Sequence, residues 1–235
     1  MITRSWKQLL PWMAAFAIAM GFLEAAVVVY LRALYYTDGF SFPLASIDLR
    51  IGATELVREA CTLVMLLAPG ALVARSRGIR FAWFCFCFGV WDLTYYVFLK
   101  AILGWPASVF AWDVLFLLPV VWVGPVLAPC LISVGMIVVA VLWLRRGDEA
   151  PRPSLWVWLA SGLGGLVMFW SFIEGPVEFL RNGAVGTASI LGATGHNATL
   201  QQLRDYIPER FDWPVFLIGL ALAATLPAAL LRRRK

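Results

Sequence analysis

Long apolar blocks alternate with short basic ones along this chain. The first block starts near Leu9 and closes on GFLEAAVVVYLR, residues 21 to 32, where Glu24 stands inside an otherwise apolar run. About 20 helical residues cross a hydrocarbon core of roughly 30 Å. On that ruler the blocks predict six spans, near 9–31, 53–74, 81–103, 114–144, 155–177 and 213–231. The expected fold is an all-α polytopic membrane bundle, with residues 1–235 forming one transmembrane domain.

The fourth block is too long for a simple span. Trp112 to Leu144 contains Pro119, Pro125 and Pro129 with Gly124 among them, and each proline removes a backbone donor. Either a short interfacial or re-entrant piece around 107–118 precedes a kinked span from about 120, or one long tilted helix kinks between 107 and 130.

The basic groups sit between alternate spans: Arg4 and Lys7, RSRGIR (75–80), RRGDEAPR (145–152) and RRRK (232–235). The positive-inside rule then puts these segments and both termini in the cytoplasm. Residues 182–212 become a long extracytoplasmic loop, in which ATLQQLRDY can form a surface helix. The only histidine, His196, also falls in this loop.

Composition sharpens the class. The chain is 62% hydrophobic and 14% charged, against about a quarter charged in a soluble domain. The net charge of +5 resides in topology-setting loops, so membrane lipids and not nucleic acid are the expected contact. One histidine and four cysteines without a C-x-x-C pair leave no ligand set for haem or zinc. No cofactor is assigned. Most of the twelve tryptophans fall near predicted interfaces, whereas Trp91, Trp122 and Trp170 lie deeper.

The acids are the informative residues. GFLEAAVVVYLR aligns with GVWDLTYYVFLK (89–100), matching Glu24 to Asp92, and the fifth span carries Glu174 before Phe179-Leu180-Arg181. Each odd span thus has an acid in its outer half and an aromatic-Leu-basic triplet at its end, a pattern that three duplicated hairpins or an ordinary interfacial belt would both give. Glu55, Arg58 and Glu59 open the second span on one helix face, and Asp113 precedes the fourth. A carboxylate at the bilayer centre costs roughly 2.5–3.5 kcal/mol, so these groups should face one another or water. The candidate ligand-binding set is Glu24, Glu55, Arg58, Glu59, Asp92, Tyr95, Lys100, Asp113 and Glu174, around an outward-opening acidic pocket. The competing expectation is that Glu24–Lys100 or Asp92–Arg58 pairs only lock helices together.

Three functions fit such a pocket: binding or transport of a small solute or cation, an accessory subunit with a protein partner in a larger membrane complex, and an intramembrane enzyme acting on a lipid through paired carboxylates such as Asp92 and Asp113. Catalytic residues and metal ligands stay unassigned. The segments EAAVVVYLR, GVWDLTYYVFLK and GWPASVFAWDVLFLLPVVWVGPVLAP resemble an uncharacterised group of bacterial multi-pass inner-membrane proteins. The resemblance covers roughly the first 135 residues, implies a bacterial inner membrane, and transfers no site residues or activity.

Overall fold

The computed structural model describes residues 5–150, 153–182 and 205–231. His196, most of ATLQQLRDY, and the basic residues Arg4, Arg152 and 232–235 lie outside the described residues. Among the described residues six helical stretches are long and apolar enough to cross a membrane, so the fold is the expected all-α multi-pass bundle.

Capping chemistry sets the helix starts. Gln8 accepts the Ser5 N–H at 3.0 Å as α1 (Trp6–Tyr35) begins. Asp48 accepts the Arg50 N–H at 2.9 Å and opens α2 (Leu49–Val73). The helix α3 (Arg77–Leu103) stops at Gly104, whose left-handed φ of 67° suits glycine. Two strands, β1 (Trp112–Phe116) and β2 (Trp122–Pro125), come before α4 (Leu127–Arg146) and α5 (Leu155–Asn182). The sixth span is two pieces, α6 (Trp213–Ala223) and α7 (Thr225–Leu231), with Asp212 accepting the Val215 N–H at 3.1 Å ahead of α6.

The fourth span therefore begins at Leu127, and residues 114–125, expected to be helical, form an antiparallel hairpin instead. Trp112 pairs with Pro125, Asp113 with Gly124, Val114 with Val123 and Phe116 with Trp122, with Leu115 bulged out. Two physical reasons favour strands here. Pro119 and Pro125 deny a helix its donors, and the run from Trp112 to Val123 is rich in aromatic and β-branched residues. The hairpin is re-entrant. Phe116 lies 6.1 Å from Trp91, ring to ring, and Trp91 is twelve residues, about 18 Å of helix, from the end of α3.

The most buried helix is α3. It packs against α1, α2 and α4, while α1 and α2 touch each other little. At one end of the bundle Trp83, Cys87, Ala140, Trp143 and Leu144 make a close apolar core. The opposite end, where Phe40 and Trp105 meet from two connections, carries the hairpin and the charges. α5 pairs with α6 and meets the hairpin through β2.

The α3–α4 crossing is tight at Gly89, where an added Cβ would stand 2.6 Å from the Ser133 carbonyl oxygen, whereas nothing crowds Gly135. Gly89→Ala is expected to lower unfolding stability by about 1–3 kcal/mol, and Gly135→Ala to change it by less than about 0.5 kcal/mol. Unfolding of both variants in bicelles checks this, and equal effects would contradict the crossing.

Candidate functional site

Helical spacing brings the charged groups together. Glu24, Val28 and Arg32 are four apart along α1. Glu55, Arg58, Glu59 and Thr62 share one face of α2. Asp92, Tyr95 and Tyr96 share one face of α3. The three faces converge on the hairpin. Arg58 is the hub. Its Nε and Nη2 donate to Glu55 at 2.9 and 2.6 Å, and its Nη1 donates to Glu24 of α1 and, at 3.2 Å, to Thr62. The bidentate grip on Glu55 is the geometry arginine favours with a carboxylate.

The second guanidinium is more enclosed. Arg32, 8% exposed, lies 3.8 Å over the Trp105 ring and 4.5 Å over Phe40, and it faces Asp113 of β1 at 3.5 Å. Tyr96 donates to Asp113 at 3.3 Å. Stacking and pairing together keep this cation in an apolar setting.

Two other acids meet only neutral donors. Glu59, buried in α2, accepts the Leu117 N–H at 3.0 Å on each oxygen. Asp92, buried in α3, accepts the Ser133 hydroxyl of α4 at 2.7 Å. The Trp91 Nε1–H beside it is buried and has no hydrogen-bond partner among the described residues.

These groups border two adjoining cavities. A loop-side chamber of about 190 Å³ lies between α1, α2, the 36–48 connection and the hairpin, and includes Arg32, Glu55, Glu59 and Asp113. A deeper chamber of about 120 Å³ includes Glu24, Arg58, Glu59, Trp91, Asp92 and Ser133. Val28, Glu55, Glu59, Tyr95 and Val114 line both. Among the described residues six carboxyl groups and two guanidinium groups stand around this space, with Asp48 taken up by the Arg50 N–H at the start of α2. Among the described residues Arg58 bridges two of these acids and Arg32 one, which leaves Glu59 and Asp92 without a salt bridge.

Seven of the nine candidate residues line the chambers: Glu24, Glu55, Arg58, Glu59, Asp92, Tyr95 and Asp113. Lys100 does not. Its Nζ donates to the Gly104 and Pro106 carbonyls at 2.9 and 2.8 Å, closing the end of α3. Glu174, half-buried on α5, lines neither chamber. Neither expected locking pair forms, since Glu24 takes Arg58 and Asp92 takes Ser133. The matched triplets also differ: Arg32 points inward, while Lys100 and Arg181 are exposed.

Arg32, Tyr96 and Ser133 join the site although they stand outside the candidate ligand-binding set. Arg32 could have been found as the charge two helical turns beyond Glu24, and Ser133 as a hydroxyl within an apolar span. Among the described residues no three His, Cys, Asp or Glu side chains converge closely enough to hold a metal ion. No family model, curated protein or solved structure matches the chain.

Removing the hub leaves Glu24 and Glu55 facing each other. Arg58→Leu is expected to lower stability by about 3–5 kcal/mol, and adding Glu24→Gln should recover about 1 kcal/mol or more. A double-mutant cycle by unfolding in bicelles measures this coupling. Strict additivity would contradict the Glu24–Arg58 bridge.

Proposed function

We propose that this multi-pass membrane protein binds a small cationic solute in the hairpin-floored acidic chamber, and that this is the binding step of a carrier with the chamber open to the outer face. The observation that supports this reading is the charge imbalance. Glu59 and Asp92 are buried, adjoin a cavity and form no salt bridge among the described residues. Buried carboxylates demand compensation, and a cationic solute supplies it. The chamber contains the floor such a site needs, because non-helical backbone at membrane depth is tolerated where it lines a cavity.

The same geometry favours binding over two-acid catalysis. Asp92 is held by Ser133 and Asp113 by Tyr96 and Arg32, so each has its own partners. A proton-sharing dyad requires the two carboxyl groups to bond each other.

Purified protein in lipid nanodiscs should bind methylammonium saturably. Asp92→Asn, which preserves the contact to Ser133, should weaken binding tenfold or more without changing elution or unfolding temperature, and Glu59→Gln, which keeps one of the two oxygens that accept from Leu117, should also weaken binding tenfold or more. Uptake of labelled methylammonium into proteoliposomes should fall in parallel. Binding that is unchanged in both variants removes these acids from the site, and a wild-type protein that binds no cation removes the function.

A further inference from the structure

Resting on that reading, we infer that the ligand is an amphiphile whose head joins an ammonium to a neighbouring oxygen and whose aliphatic chain leaves the chamber between α1 and α2. The two chambers differ in chemistry, and each specifies one part of such a molecule.

The deep chamber specifies the head. Phe88, Trp91, Phe116 and Trp122 are among the rings that wall it, and Glu59 and Asp92 stand there beside the Arg58-paired Glu24 and Glu55. Aromatic walls with carboxylates are the setting in which organic ammonium groups are recognised, through the ring quadrupoles and the negative charge together. A hydrated inorganic cation would gain little from such aromatic walls. The described acids also do not converge as a metal site.

Trp91 adds a second requirement. Its side chain lines the chamber, is 4% exposed, and has an Nε1–H without a partner among the described residues. An indole N–H only donates, and an ammonium only donates, so they cannot satisfy one another. A ligand oxygen near the ammonium would supply the acceptor that Trp91 lacks, in the chamber that also holds Asp92.

The loop-side chamber specifies the chain. Val28, Leu31, Leu44, Ile47, Leu49 and Ile51 give it an aliphatic wall. It lies where α1 and α2 part, both being packed on α3 with little contact between them. Leu49, exposed on α2, also lines this chamber. The chamber is open at the gap, so the first part of a chain would lie inside, with the remainder among the surrounding acyl chains.

Four probes separate these elements: 2-amino-1-decanol, decylamine, 2-aminoethanol and 1-decanol, titrated calorimetrically into the full chain in nanodiscs against empty nanodiscs. The expected result is saturable binding of 2-amino-1-decanol at one per chain, about thirtyfold or more tighter than 2-aminoethanol, since each buried methylene adds about fourfold. Decylamine should bind several-fold more weakly than the amino alcohol, and Trp91→Phe should abolish that preference. The preference is a ratio within one variant, so a general loss of stability does not mimic it. Equal affinity for 2-aminoethanol and 2-amino-1-decanol would overturn the amphiphile and leave the cation site standing. A preference for the amino alcohol that survives Trp91→Phe would overturn the role of the indole. Saturable 1-decanol binding as tight as that of the amines, or no saturable amine binding, would overturn this inference and the cation site together.

Discussion

The grip of Glu59 on the Leu117 N–H is the contact on which this site depends. A hairpin placed among membrane-spanning helices carries backbone groups that apolar surroundings do not satisfy, each at a cost of several kcal/mol. The strand ladder answers those within it. At the tip, Leu117 lies beyond the strands and turns its N–H to both oxygens of Glu59. The Leu118 carbonyl receives the Trp122 Nε1–H at 2.8 Å. One carboxylate on α2 thus fixes how deep the hairpin sits, and the hairpin then floors the cavity.

That arrangement shapes the electrostatics. Glu59 accepts from a neutral donor and forms no salt bridge among the described residues, meeting the Arg58 charge only at longer range. The guanidinium nearest in sequence, Arg58, is occupied by Glu24 and Glu55. Arg32 is held between Trp105, Phe40 and Asp113. Both bases are therefore committed, and the remaining acids impose a demand for positive charge that an arriving solute can meet. On the far side of β2, Gly124 lets Phe172 of α5 approach so closely that a Cβ would stand 2.7 Å from its ring. The hairpin is thus clamped between α2 and the α5–α6 pair.

The six spans were legible because blocks of 20 or more apolar residues separated by arginine leave few alternatives. The clustering of Glu55, Arg58 and Glu59 was legible too, since helical periodicity alone puts them on one face. What could not be read was pairing across helices. Lys100 and Arg32 end matched triplets, yet one closes its own helix and the other enters the site, and only the approach of β1 and Trp105 distinguishes them. The hairpin was hidden for a related reason. Residues 112–125 are apolar enough for a span, and their prolines argued equally for a kinked helix and for no helix. Ladder bonds and a distant glutamate decided the outcome, and neither leaves a local mark in the sequence.

A solute site here requires that a polar chamber open beside Glu59 within an otherwise lipid-facing bundle. Thiol accessibility reads this directly, in a background with the four cysteines replaced by alanine. Val28 lines both chambers, and Leu23 faces outward at 58% exposure on the same helix. A cationic methanethiosulfonate reagent should modify Val28→Cys rapidly and leave Leu23→Cys almost untouched, because only the former meets water and negative charge. Equal resistance at both positions would mean that no hydrated chamber exists there, and the carboxylates would then serve only to hold the helices and hairpin together.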